Sequence, residues 1–311
     1  MYTDNEAPVL VVGAAGVDVI GRTEHKIKQG SSIPAEIRFT FGGVGRNVAE
    51  NLARLGHPVN LITAVGSGYF GEQLLHQLDD AGVNTALCLR TEDPTGSYVA
   101  LLRNGDIPFA LDDMRAIQAL TPAYLRKQYK MFKEASILFL DANLPDPVLR
   151  SAISIAKRTK TPVVADPTSP LLAPKLIPYL SSLEMITPNS SEAAVYCEHP
   201  FEDVESSLAI ESAKNLVLKG VHIAIITLAE FGVCYATADT SGSIPAIRTE
   251  IVDPIGAGDA LTAAVIFSLL NDIPLDDAIR LGVSAASLTL RQRGAVVPDL
   301  TLEKLYDTLI I

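Results

Sequence analysis

The chain has 311 residues, 48% hydrophobic and 20% charged, which is enough apolar material for a large core and excludes global disorder. Its 25 lysines and arginines stand against 36 aspartates and glutamates, and the net charge of −11 repels nucleic acid and anionic lipid. An anionic small molecule would need a local site of helix N-termini, glycine-rich backbone or bound cation. No run of about 18 apolar residues offers a membrane span. The start, MYTDNEAPVLVVG, puts acids before a short apolar run and lacks the basic region of a secretory signal. Cys88, Cys197 and Cys234 lie far apart with no CxxC pair, so neither a zinc site nor a disulfide framework is indicated, and a cytoplasmic location is expected.

In chain order, short apolar runs alternate with helical patterns. Residues 9–16 (VLVVGAAG) read as a buried strand ending in a turn, and 60–65, 136–142, 162–166, 185–189 and 222–228 as further strands. These are mostly unbroken β-branched runs, the pattern of strands covered on both faces. Helical patterns lie at 45–56, 70–83, 121–135, 146–159 and 205–220; Val48, Leu52 and Leu55 share a face of the first, which Gly56 stops. Thr121 before Pro122 is an N-cap followed by proline at the first helical position. Two strong helices, 258–270 and 275–290, follow. The repeated strand–helix–strand units predict an α/β fold with a mostly parallel central sheet between helices. Two alternating stretches, 22–43 and 95–111, break this rhythm, with Asn104-Gly105-Asp106 as a hairpin turn. They predict antiparallel strands projecting as a small β-sheet lid. No Pro-, Gly- or Ser-rich linker appears, so residues 1–311 are expected to form one domain with lid strands inserted at about 19–41 and 95–112.

Five motifs carry candidate chemistry. In Asp253-Pro254-Ile255-Gly256-Ala257-Gly258-Asp259, small residues let backbone N–H groups approach an anion, and the following helix adds its positive end. Asp259, in the first turn, is placed to accept a proton from a substrate hydroxyl; an acidic helix start favoured by the dipole is the plainer alternative. In Phe41-Gly42-Gly43-Val44-Gly45-Arg46-Asn47 the glycines allow close approach and Asn47 offers a donor and an acceptor to sugar hydroxyls; a glycine-rich turn capping a helix is equally open. Neither this stretch nor Val12-Gly13-Ala14-Ala15-Gly16-Val17-Asp18 has the context of a dinucleotide fingerprint, which leaves Asp18 at a strand's carboxyl end to hold a diol. Asn189 and Glu192 share one side of a helix start, fit for phosphate and hydrated Mg²⁺ or simply for capping. Thr227-Leu228-Ala229-Glu230-Phe231-Gly232 is a strand, turn and strand, a phosphate or nucleoside contact or a plain hairpin. The five histidines, at 25, 57, 76, 199 and 222, show no ligand spacing and read as surface or packing residues.

Together these motifs resemble the ribokinase-like, PfkB-type carbohydrate kinases. GGVGRNVA with Gly56 and Gly66 matches the N-terminal signature, DPIGAGDALTAAVI the C-terminal one, and PNSSEA, the Thr227 turn and GAGD keep the family's order. The resemblance spans nearly the whole chain. It implies a ribokinase-like three-layer αβα fold and an ATP-dependent phosphotransferase acting on an alcohol group. GGVGRNVAENLARLG, TGSYVALL, LDDM (111–114) and DANL (141–144) look most like the pseudouridine kinases. The implied reaction is then pseudouridine to pseudouridine 5'-phosphate. Ribokinases, fructokinases and adenosine kinases share the scaffold. A nucleoside-binding sensor on the same fold is the non-enzymatic alternative, but a binding protein has no need of a base beside an anion hole.

Carried over residue by residue, the resemblance makes Asp259 the general base and Gly256, Ala257 and Gly258 the anion hole. Asp18, Gly42, Gly43, Asn47 and Asn143 would grip the ribose-type ring. Asn189, Glu192, Thr227 and Gly232 would line the ATP phosphates, with Glu192 on Mg²⁺ through water, and Val283 and Ser287 would border adenine. Asp253 with the loop at Gly294 and Ala295 would hold a monovalent cation such as K⁺. Relatives pair two lids, so a homodimer through the lid is expected, with a sugar or nucleoside as the small-molecule partner. Two departures stand out: Pro254-Ile255 where the family often has Thr-Thr or Thr-Asn, and Ala229 where it usually has glycine.

Overall fold

The strand Val9–Val12 runs through the middle of the main sheet, parallel to Leu138–Asp141 on one side and Val59–Ile62 on the other. The structure, a computed structural model, describes residues 6–27, 30–103, 106–197 and 206–309. Beyond Leu138–Asp141 the sheet continues in parallel through Val163–Asp166, Met185–Ile186 and Ile223–Thr227, then turns antiparallel through Val233–Ala236 and Ser241–Ile244. Val83–Asn84 forms the opposite edge. Period-two alternation sends Val9, Val11, Phe139 and Val164 to one face, against the helices Val44–Arg54, Ala257–Leu270 and Leu275–Leu290. Leu10, Val12, Leu140 and Ala165 go to the other, against Asp146–Thr159 and Ser206–Leu218. Strands buried on both faces therefore sit between two helical layers, the three-layer αβα arrangement.

The chain leaves the central strand in both directions, toward Val59–Ile62 and toward Leu138–Asp141. Open α/β sheets bind ligands at the carboxyl ends of the strands where the order reverses. Here those ends are the turn at 13–15 and Asp141.

A second sheet, ordered Glu36–Gly42, Gly16–Arg22, Gly96–Arg103, Asp106–Asp113, forms the lid. Antiparallel strands were expected at 22–43 and 95–111; the second stretch pairs antiparallel with its own continuation, while in the first Glu36–Gly42 pairs antiparallel with Gly16–Arg22, which lies almost wholly before it. Their junction is parallel, however: Gly16–Arg22 and Gly96–Arg103 run outward together, starting from the register partners Gly16 and Gly96. The first lid strand also begins at Gly16 instead of 19. One lid face presents Ile37, Phe39, Val99, Phe109 and Leu111 to solvent, with Phe39 stacked on Phe70 at 6.1 Å. The other carries Ile20, Ala100 and Leu102, which pack on Tyr98 and on Ile255 beside the glycine turn at 256–258.

Other elements depart from the sequence reading for local reasons. The expected strand 60–65 splits at Thr63; Val59–Ile62 stays in the main sheet while Ala64–Gly66 pairs with Leu89–Thr91. The helix expected over 121–135 breaks at Gln128 (φ −92°, ψ 17°) into Pro122–Lys127 and Tyr129–Glu134. Thr121 does cap the first of these, its side chain accepting from the Tyr124 N–H at 3.2 Å. The strand at 185–189 shrinks to Met185–Ile186, because Pro188 has no N–H to give and Asn189 turns to open a helix. Asn104 and Gly105 of the hairpin turn, His199 and Glu205 lie outside the described residues. Among the described residues, no helix is long and apolar enough to cross a membrane.

Candidate active site

Gly256 opens the helix Ala257–Leu270 with a left-handed backbone (φ 82°), and a side chain there would meet the backbone of Ala295. The glycine is therefore required twice over, by its conformation and by the close approach. Among the described residues no side chain caps this helix start. From Ala260 onward nearly the whole helix is buried, which anchors the partly exposed first turn at its mouth. Asp259 lies in that turn, and its Oδ2 accepts from Asn47 Nδ2 at 2.7 Å. Burial pushes the Asp259 carboxyl up to about 7; the Asn47 bond opposes this, and the charges of Asp141, Asp18 and Glu192 add to it. A carboxylate with that affinity can take a proton from a hydroxyl near neutral pH.

Asn47 comes from the helix Val44–Arg54, whose N-cap is Gly43 with φ 97°. A side chain on Gly43 would strike the backbone of Ala14 and Ala15, and one on Gly45 would lie 2.7 Å from the Cα of Gly13. The glycines thus bring this helix start onto the end of the central strand. Asp141 ties the junction: its Oδ2 accepts from Ala14 N at 2.7 Å and Gly45 N at 2.9 Å, and its Oδ1 from Asn143 N at 3.0 Å. Asn143 is thereby fixed beside the switch point. Asp18 is buried on the inner lid face with Gly42 packed against its carboxylate, so Gly42 makes room for Asp18. Burial pushes Asp18 up to about 7, opposed by the Arg46 charge and assisted by Asp253. Asp253, also buried, accepts from Ile255 N at 3.1 Å.

A cavity of about 460 Å³ adjoins the open helix start. Its lining includes Asn189, Thr227, Gly232, Ala257, Gly258, Val283 and Ser287, and also Pro254 and Ala229. Gly256, Glu192 and Asp253 do not line it. Asn189 and Glu192 form a reciprocal cap, Asn189 Oδ1 accepting from Glu192 N at 2.9 Å and Glu192 Oε2 from Asn189 N at 2.8 Å. Behind them Asp166 is pushed well up by burial and by the charge of Glu192. The turn at 227–232 is the plain hairpin of the sequence reading, with a 3₁₀ turn Ala229–Phe231 at its tip, and it lines the cavity as well. Ala229 there holds φ 49°, the left-handed region.

The chain is similar to known proteins in sequence and in fold. The pfkB family carbohydrate kinases match residues 7–302. The chain belongs to that family. It is 29% identical over 304 residues to the pseudouridine kinase of Escherichia coli, covering 94% of each chain. A carbohydrate kinase from Agrobacterium tumefaciens superposes with a TM-score of 0.81 at 27% identity, over 97% of this chain and 96% of that one. The Arabidopsis thaliana ribokinase solved with ribose and ATP superposes with a TM-score of 0.82 at 23% identity, over 97% and 98%. As a pfkB kinase the chain is a phosphotransferase acting on a sugar or nucleoside hydroxyl.

Three residues at the heart of this kinase site escaped the sequence reading. Asp141 had a signal, an acid ending a buried apolar strand; its partners are 96 and 127 residues away, which no local pattern shows. Asp166 ends the neighbouring strand in the same way. Arg46 had a weaker one, an arginine with Glu50 four residues on, ordinary for a helix surface yet here only 2% exposed.

Proposed function

We propose that this kinase transfers the γ-phosphoryl group of ATP to the primary hydroxyl of a ribose-type substrate, with pseudouridine as acceptor and pseudouridine 5'-phosphate as product. The observation that carries the reading is Asp259, a carboxylate that accepts from Asn47 Nδ2 at 2.7 Å in the first turn of a helix that no side chain among the described residues caps, beside a cavity of about 460 Å³. The full-length similarity to a pseudouridine kinase supports the acceptor.

In this reading Asp259 takes the hydroxyl proton while the amides at 256–258 stabilise charge gathering on the transferred group. Asp18, Gly42, Gly43, Asn47 and Asn143 hold the ribose. Asn189, Thr227 and Gly232 face the phosphates, and Val283 and Ser287 the adenine. Closure of the lid excludes water, which would otherwise compete as acceptor. Among the described residues no three His, Cys, Asp or Glu are grouped to hold a metal ion. That fits Mg²⁺, which keeps its waters and binds nucleotide phosphates, with Glu192 holding it through water. When bound, Mg²⁺ supplies charge neutralisation on the phosphates. Asp253 with the loop at 294–295 would hold K⁺. The outer lid face, with Phe39, Val99, Phe109 and Leu111 exposed, suits a second copy in a homodimer. The cytoplasm, which supplies ATP, is the fitting location.

The test is ADP release by the purified protein with Mg²⁺ and pseudouridine, uridine, ribose, fructose or adenosine. Pseudouridine should give the highest kcat/KM; a higher value for ribose or fructose would make the chain a sugar kinase. Sedimentation at micromolar concentration showing only monomer would remove the lid dimer.

A further inference from the structure

We propose that Arg46 is a positioning residue for phosphoryl transfer, its buried guanidinium fixing the Asn47 amide so that Nδ2 faces Asp259; this rests on the reading of Asp259 as the base. Arg46 is 2% exposed in the first turn of the helix Val44–Arg54. One arm of its fork, Nη1, donates to Asn47 Oδ1 at 2.9 Å and to the Phe41 carbonyl at 3.1 Å. The other, Nη2, pairs with the buried Glu50. Its Nε is buried with no hydrogen-bond partner among the described residues. An arginine kept in so poor a solvent, with one donor unsatisfied, is costly. The bond to Asn47 shows what it gives in return.

A guanidinium can only donate and an ionised carboxylate can only accept. Asn47 lies between one of each. Its oxygen must face Arg46, so its N–H₂ must face Asp259. Without Arg46 only the ionised Asp259 selects the amide's orientation, and each time that carboxyl is protonated the amide can turn its oxygen toward the acid. The chain Glu50, Arg46, Asn47, Asp259 thus aligns the base from a buried residue behind it. Arg46 also lends Asp259 its positive charge. The other groups facing Asp259 all oppose ionisation: Asp141 from the strand Leu138–Asp141, Asp18 from the lid, Glu192 from the helix Ser190–Tyr196 and Asp166 from the strand Val163–Asp166. Asn47 and Arg46, both from one helix, are the counterweight.

The experiment compares Arg46→Met, Arg46→Lys, Asp259→Asn and the parent enzyme in kcat against pH. Glu50 keeps Arg54 as a partner at 2.7 Å, so removing Arg46 does not leave it alone in the interior. A turned amide takes from Asp259 the hydrogen bond that holds its carboxyl down, and losing such a bond raises a carboxyl by about one unit. For Arg46→Met the acid limb should then move up about one pH unit, lowering kcat about 5-fold at pH 7 and little at pH 9. Arg46→Lys, a charge without the planar fork, should fall between; it also serves if Arg46→Met does not fold. A folded variant whose loss is equal at pH 7 and pH 9, or absent, overturns the proposal. Near-parental turnover by Asp259→Asn would instead remove the base reading itself. Its inactivity beside an unmoved limb in Arg46→Met would leave that reading standing and the positioning role refuted.

Discussion

Two glycine-led helix starts meet at the cleft, and they differ in what fills them. At Val44–Arg54 the first-turn amides are already taken: Gly45 N donates to Asp141, and Arg46 N to the Ala14 carbonyl at 3.0 Å. At Ala257–Leu270 no side chain among the described residues caps the start, and Ala257 and Gly258 line the cavity. The first is closed by an internal carboxylate and serves architecture. The second opens on solvent-accessible space and suits an external anion. The same sequence signature, small residues before a helix, thus performs opposite tasks. A single strand-end aspartate decides which.

The sharpest way to break this contrast is at Asp259, which sits in the open start. Asp259→Asn keeps the shape and the Asn47 contact region but removes the basicity. Turnover should fall by ~10²–10⁴, with the dissociation constant for ATP changed only a few-fold. Single-turnover kinetics with pseudouridine and an ATP titration check this; retention of more than about a tenth of parental kcat would show that another group takes the proton.

A paired alanine experiment sharpens the contrast from the side of packing. On Gly45 a Cβ would lie 2.7 Å from Gly13 Cα and 2.9 Å from Gly13 C, both backbone atoms that cannot yield. Gly45→Ala should destabilise by ~1–3 kcal/mol, read by denaturant unfolding. On Gly258 a Cβ meets nothing within 4 Å. Gly258→Ala should therefore fold at least as well as the parent, while its methyl intrudes into the cavity and raises KM for ATP. Equal loss of stability in both variants would erase the distinction between closed and open starts.

The same contrast marks how far the sequence could be read. The rhythm of buried strands and amphipathic helices was legible because each element buries its own face, and layer order follows from that. Asp259 and Asn47 were legible as candidates through their glycine neighbours. Their mutual hydrogen bond was not, since it joins positions 212 residues apart. Asp141 and Asp166 each end an apolar strand and Arg46 stands four residues before Glu50, patterns that ordinary charged residues share; burial singles them out, and burial is a property of the assembled fold. The parallel junction in the lid was invisible for a related reason. Alternation shows that a strand is half-covered but not which neighbour it has or in which direction that neighbour runs.

A pH titration of stability probes both starts together. Asp18, beside Arg46, and Asp259 are both pushed up to about 7 from an ordinary 3.8. Between those values the folded chain holds more protons than the unfolded one, so stability is greatest toward the acid side and falls as pH rises through 7. Asp141, Asp166 and Glu192 are displaced in the same direction and add to the slope. Each of the two shifts is worth about 2 kcal/mol between pH 5.5 and 8, so the ligand-free protein should melt about 6 °C lower at pH 8 than at pH 5.5. Asp18→Asn with Asp259→Asn should flatten that difference. A melting temperature that climbs from pH 5.5 to 8 would mean these carboxylates are stabilised as anions when the protein is free.

The smallest expected effect lies at the far wall of the cavity, where Ala229 occupies a left-handed turn (φ 49°) that glycine adopts without cost. The left-handed backbone costs an L-residue roughly 1–2 kcal/mol. Glycine relieves this but loosens the unfolded chain, returning ~0.4–1 kcal/mol. Ala229→Gly should accordingly leave the melting temperature unchanged or raise it by about 2 °C. Ala229→Val must fare worse than either, because a β-branched side chain tolerates this region least. Since Ala229 borders the same cavity as Gly258, the two substitutions run in opposite senses: removing a methyl at 229 widens the cavity, while adding one at 258 narrows it. KM for ATP should fall or hold steady in Ala229→Gly and rise in Gly258→Ala. A drop in melting temperature of more than about 2 °C in Ala229→Gly would show that the methyl packs well enough to outweigh its backbone strain, making the alanine a structural part of the wall.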